Sequence, residues 1–171
     1  MPFYEVAHTV ALTDDQKDAL AAAITEVHSS RFTVPRMFIN VVFTNTFSVP
    51  TYTGGKRTTV SNRIVARVRR GSRSREDFNS LCSDIRAAWA NIVHPEYSAD
   101  QSPPPELELR AVFITGELLA GMKCEFHVPV AGAELEWAKE NYNEFQKRAA
   151  RGDEDFIGLV EQIDEWLHKS G

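Results

Sequence analysis

The sequence predicts an α+β fold in which two consecutive β-α-β units build a four-stranded sheet with two helices packed on one face, followed by C-terminal helices. Three observations predict it. Strand-like and helix-like stretches occur twice in the same order, the segment "NVVFT" closing the first unit resembles "RAVFIT" closing the second, and each intervening helix opens on a capping pair. A duplicated β-α-β half is a strong clue to architecture, because such units join strands through a helix laid on the sheet. A sheet covered on one face leaves its other face and its edges bare, so the unit is expected to oligomerise.

Residues 3–8, "FYEVAH", form the first β-favouring run. In "LTDDQKDALAAAITEVHSS", Thr13 and Gln16 stand at capping-box spacing, Asp14 and Asp15 suit the positive end of a helix dipole, and Leu20, Ile24 and Val27 make an apolar stripe, which predicts a helix over 13–29. "RMFINVVFT" is β-branched, aromatic and too short for a typical helix, so it reads as a buried strand. "SVPTYTGGK" reads as loop and tight turn. "NRIVARVRR" is the next strand. The second helix is "SREDFNSLCSDIRAAWANIV", with Ser74 and Asp77 at capping spacing and a stripe of Phe78, Leu81, Ile85, Ala88 or Trp89, and Ile92. Residues 95–106 are a proline-rich loop, "LELRAVFITGE" is a buried strand, and "KCEFHVPV" is a short extended piece. Helical patterns follow at about 133–149 and 154–168, the last with Phe156, Val160, Ile163 and Leu167 on one face. The chain is read as a core domain over 1–137, with halves of about 2–60 and 61–125, and a helical extension over 138–171 packed on it.

With 171 residues, 43% of them hydrophobic and 25% charged, the chain suits one domain with a sizeable core. A formal charge of −5 argues against general nucleic-acid binding, which needs a basic footprint. Cys82 and Cys124 make no disulfide framework and suit a reducing compartment. No stretch has the length of a membrane span and the N-terminus lacks a secretory pattern, so a soluble, cytoplasmic protein is expected.

Four places could carry chemistry. Pro2 follows Met1 directly; removing Met1 would leave a secondary amine able to act as acid, base or nucleophile, although most second-position prolines mean nothing of the kind. In "RIVARVRRGSRSR", strand alternation puts Ile64, Ala66, Val68 and Arg70 on one face, so that Arg70 continues the apolar side and needs an anionic partner. Arg73 lies three residues on, across Gly71 and Ser72, where both side chains can converge on one carboxylate. Pairing with surface Glu or Asp, or at a subunit contact, is the commoner use of such arginines. His28 flanks the stripe of the first helix near its C-terminus, where complementing the dipole is the commoner role. Glu125 and His127 share one face of "KCEFHV" and Cys124 the other; strand neighbours diverge and a second ligand pair at zinc spacing is missing, so no metal is expected.

The order of Pro2, "AITEVH" ending in His28, "RGSR" giving Arg70 and Arg73, and Glu125 after the last core strand resembles the cis-3-chloroacrylic acid dehalogenase group of the tautomerase superfamily, which also includes oxalocrotonate tautomerase-like proteins. Further matches are "TGGK" at Gly54 and Gly55, "GE" at Gly116 and Glu117, and Pro129, Gly132 and the "EW" of Glu136 and Trp137; the likeness covers roughly residues 2–137. The resemblance implies a cofactor-independent homotrimer acting on a small carboxylate substrate. It implies Pro2 as acid or base, Arg70, Arg73 and His28 as carboxylate binders, and Glu125 as water activator beside a tyrosine. Phe113 or Ile114 stands where that tyrosine would fall, and neither can hydrogen-bond a water, which speaks against dehalogenation and leaves proton transfer intact. Nearby arginines would push the Pro2 amine towards a neutral base and Glu125 towards a cationic acid. The leading expectation is a tautomerase moving a proton on a small 2-oxo or unsaturated acid. The rivals are a hydratase, dehalogenase or decarboxylase of three-carbon acids, and a trimeric binding protein whose working surface lies elsewhere.

Overall fold

The computed structural model describes residues 1–97, 102–116 and 121–169. Glu117 and part of the proline-rich loop lie outside these residues.

Strand β1 (Phe3–His8) leads into helix α1 (Asp14–Phe32), and strand β2 (Asn40–Asn45) returns parallel to β1. A hairpin of β3 (Thr51–Thr53) and β4 (Lys56–Thr58) separates the halves. Strand β5 (Arg63–Arg67), helix α2 (Arg75–Val93) and strand β6 (Ala111–Thr115) repeat the unit, again with parallel strands. The sheet runs β2-β1-β5-β6, its halves joined by the antiparallel pair β1 and β5. Two equivalent halves with antiparallel central strands give the sheet an approximate two-fold relation.

Both core helices begin as the sequence dictates. The Thr13 hydroxyl accepts from the Gln16 amide at 3.1 Å while the Gln16 side chain accepts from the Thr13 amide at 3.0 Å. Ser74 and Asp77 form the same reciprocal box at the start of α2. Leu20, Ile24 and Phe32 of α1 and Leu81, Ile85 and Trp89 of α2 bury themselves with Tyr4, Val6, Ile64, Ala66 and Val68 from the sheet. Buried Asn62 ties the halves together: its Oδ1 accepts from the amides of Thr9 and Val10, and its Nδ2 donates to the carbonyls of Glu106 and Glu108.

The opposite face of the sheet is uncovered in the single chain. Val42, Glu5, Val65 and Phe113 form one transverse row across all four strands, with Phe113 56% exposed. In the next row Arg67 reaches over the Phe3 ring, 5.9 Å from its centroid.

Beyond β6, strands β7 (Met122–Lys123) and β8 (Phe126–His127) precede helices α3 (Glu134–Ala149) and α4 (Glu154–Lys169). Ala138, Phe145, Phe156, Leu159 and Ile163 form a second apolar cluster; Met37 and Trp137 pack against both clusters. Gln162 of α4 bonds the Ser29 hydroxyl at 3.1 Å and accepts from the Arg36 amide at 2.8 Å, fastening the C-terminal helices to the end of α1.

Three sequence expectations are corrected. "RMFINVVFT" is divided, because Pro35 starts a 3-10 turn over Arg36–Phe38 and the strand begins only at Asn40. "SVPTYTGGK" contributes to a hairpin, with Gly54 and Gly55 at φ 58° and 77° making its turn. "KCEFHVPV" is not continuously extended: Cys124 takes φ 51°, and the chain folds back so that Met122 faces His127.

Candidate active site

Pro2 is buried at the start of β1, and its carbonyl accepts from the Asn40 amide of β2 at 3.1 Å. The side chains around this end of the sheet come from α1, the β5–α2 turn and α3. His28, fully buried, is one helical turn beyond Ile24 and faces the sheet with the apolar stripe. The Tyr4 hydroxyl and His28 Nδ1 share a hydrogen bond of 2.6 Å. His28 Nε2 is buried and without a hydrogen-bond partner; where Tyr4 is the donor at Nδ1, the proton of the neutral ring lies on Nε2.

Two arginines approach the same region. Arg69 bonds Glu134 at 3.2 Å, and Arg73 lies 3.8 Å from the same Glu134 oxygen. Arg73 is seated by the carbonyls of Arg69 and Phe32 at 3.1 and 3.5 Å and stacks on the Phe32 ring, 4.4 Å from its centroid. Arg69 Nη1 is the second buried nitrogen here without a partner. Glu134, only 2% exposed, accepts from the Gly132 amide at 2.6 Å as well, so the first residue of α3 is held inside by three groups.

The surroundings favour neutral forms. The amine of Met1 falls from 8.0 to about 5, because it is buried and Arg69 stands near; Glu134 opposes this and Arg73 adds to it. His28 falls to about 3, by burial first, then by Arg73 and the N-terminal amine. Burial pushes the Tyr4 hydroxyl upwards. At neutral pH the group therefore holds an uncharged amine, an uncharged imidazole, two guanidinium ions and one carboxylate. The two guanidinium ions and the one carboxylate leave the group with one positive charge.

Of the residues singled out from sequence, His28 and Arg73 interact with the Met1 amine that Pro2 directly follows, and Arg70, Phe113 and Glu125 lie elsewhere. Arg70 is exposed, correcting the expectation that it continues the apolar face. Ile64, Ala66 and Val68 are fully buried as alternation requires, but the strand ends at Arg67, and the Arg73 amide bonds the Arg70 carbonyl at 3.3 Å across a turn in which Gly71 has φ 57°. The turn breaks the two-residue period and Arg69 points inward instead. Arg70 lines a separate hollow of about 470 Å³ with Arg75, Phe78, Cys82 and Phe113. Phe113 belongs to the uncovered sheet face. Glu125 sits exposed at the β7–β8 turn, where both its oxygens pair with Arg148 of α3, the Nε bond being 2.7 Å. That pairing holds its carboxyl below the ordinary range.

Arg69, Tyr4 and Glu134 were not singled out. Gly71 is the signal that could have found Arg69, since a glycine turn one residue after "RR" ends the alternation. Glu134 carries no local signal, because it reaches the arginines only through the packing of α3.

A family model described as "Putative oxalocrotonate tautomerase enzyme" matches residues 1–142. No curated protein matches the chain. Among solved structures it is similar to N1, a member of the cis-3-chloroacrylic acid dehalogenase family, at 19% identity and TM-score 0.66, over 87% of this chain and 99% of that one. It is also similar to native RhCC from Rhodococcus jostii RHA1, at 21% identity and TM-score 0.53, over 81% and 96% of the two chains. A third is the F6 fused 4-OT wild-type asymmetric trimer, at 16% identity and TM-score 0.51, over 66% and 84%.

Proposed function

This chain belongs to the oxalocrotonate tautomerase family, whose model spans residues 1–142, and we propose that within it the protein is a cofactor-independent enzyme using the ring nitrogen of Pro2 to move protons on a small 2-oxo or unsaturated carboxylic acid. While Met1 is attached, the Pro2 nitrogen is an amide and has no useful basicity. Excision of Met1 releases a secondary amine and clears the half-buried Met1 side chain from its place against the core. Burial and the Arg69 charge, which depress the Met1 amine, act in the same direction on the Pro2 amine and favour a neutral base at pH 7.

The observation that carries this reading is the pair of buried, unpartnered nitrogens, Arg69 Nη1 and His28 Nε2, on two residues that interact electrostatically with the Met1 amine next to Pro2. Buried polar nitrogens of this kind are costly without a partner; a substrate carboxylate supplies an acceptor to Arg69 Nη1 and, with the ring proton on Nε2, to His28 as well. With the carboxylate held there and by Arg73, Pro2 takes the enol O–H proton of an enolpyruvate-type acid, and its ammonium delivers a proton to the adjacent carbon, leaving the ketone.

The test is ketonisation of phenylenolpyruvate by protein whose mass shows Met1 removed. Pro2→Ala is expected to lower kcat/KM by about 10²-fold or more, the usual scale of a general base; full activity in that variant would remove Pro2 from the mechanism and favour a binding protein. Water addition to an acrylate or propiolate is a second reading, favoured by Glu134, which pushes the amine towards its protonated form. Chloride release from cis-3-chloroacrylate distinguishes it.

The same reading takes the protein to be a cytoplasmic homotrimer. The uncovered sheet face, the trimeric form of the fused 4-OT and the two free cysteines support it.

A further inference from the structure

We infer that Glu134 sets substrate selectivity by cancelling one of the two guanidinium charges, tuning the site to acids that carry a single carboxylate and excluding dicarboxylates. This rests on the reading of the Pro2 end as a carboxylate site. Arg69 and Arg73 bring two positive charges, and Glu134, 2% exposed and 3.2 and 3.8 Å from them, brings one negative charge. His28 and Tyr4 add none at neutral pH, and the burial and Arg69 charge that lower the Met1 amine also disfavour a charge on the Pro2 nitrogen next to it. Asp77, which also attracts Arg73, is bonded to Ser74 in the helix cap and is partly exposed, so solvent screens it.

One positive charge therefore remains, together with the unpartnered Arg69 Nη1 and His28 Nε2. A monoanion brings the balance to zero. A dianion leaves a net negative charge in a buried region already holding a carboxylate, where interactions between charges are several times stronger than in water and an unmatched charge is penalised. Glu134 cannot swing away easily, because the Gly132 amide anchors its other oxygen and the residue begins helix α3.

Crotonate and fumarate form a matched pair of probes, differing by a methyl group in place of the second carboxylate. Their affinities for the full chain freed of Met1 are measured by calorimetry at pH 7. Wild type is expected to bind crotonate at least tenfold more tightly than fumarate, and Glu134→Gln to narrow that ratio at least tenfold or invert it. Equal binding of the two acids by wild type overturns the inference while leaving the carboxylate site standing, and this outcome does not depend on the variant folding. A folded Glu134→Gln protein with an unchanged ratio also overturns it. Failure of wild type to bind either acid sinks the carboxylate site, and the selectivity with it.

Discussion

His28 offers no charge at neutral pH, and that is a physical constraint on how this site can work. Its imidazole is fully buried beside Arg73, so protonation would add a cation to a buried region already holding two guanidinium ions. The consequence for stability has a definite sign. Above pH 6.5 the ring is neutral in both folded and unfolded chains; between 6.5 and about 3 the unfolded chain takes a proton that the fold refuses, so stability falls as pH falls. The expected slope from this residue is about 1.4 kcal/mol per pH unit. Urea unfolding at successive pH values below 6.5 should show it, and His28→Asn should flatten it. The arginines separate in the same way. Loss of a charge-assisted bond to substrate predicts that Arg69→Ala raises KM about 10- to 100-fold, whereas Arg70→Ala changes it less than threefold. Steady-state kinetics on the two variants checks this, and the reverse order would return the clamp to Arg70.

At the level of elements, the turn from β5 into α2 does more than connect them. Gly71 takes φ 57°, and a Cβ built there would lie 2.7 Å from the Ala131 Cβ. Gly71→Ala therefore combines left-handed backbone strain with a collision against the segment leading to Glu134. It is expected to cost about 1 to 3 kcal/mol and to raise KM, by displacing Arg69, Arg73 and Glu134 together. A variant with wild-type midpoint and KM would refute that role.

The helices and strands of the core were legible because their signals are local: capping boxes at Thr13 and Ser74, and alternation through Ile64, Ala66 and Val68. At turns the local rules fail, because the chain changes direction and the two-residue period ends. Strand alternation assigns Arg70 the inward place that the Gly71 turn hands to Arg69, and it puts Glu125 on a strand where the positive φ of Cys124 bends the chain. Glu134 was illegible for a different reason. Its partners lie 65 and 61 residues away in sequence, and only the docking of α3 brings them near.

Over the whole molecule, one sheet face is packed and the other is not. The row of Val42, Glu5, Val65 and Phe113 gives the uncovered face a mixed apolar and charged surface suited to another copy of the chain. Phe113→Lys should lower the mass seen by analytical ultracentrifugation from trimer to monomer, while a wild-type monomer would contradict the proposed assembly. The C-terminal helices have a part in the site as well as in the second apolar cluster, since Glu134 belongs to α3 and Gln162 of α4 braces the end of the helix carrying His28. We propose that the Pro2 amine, once Met1 is removed, is a neutral base because burial and the neighbouring guanidinium ions depress it as they depress the Met1 amine. Titration of the ¹⁵N-labelled Pro2 nitrogen by NMR, in protein lacking Met1, tests it most directly. The account predicts a pKa below the ordinary α-amino range of about 7.7 to 8.0; a value at or above that range would contradict it.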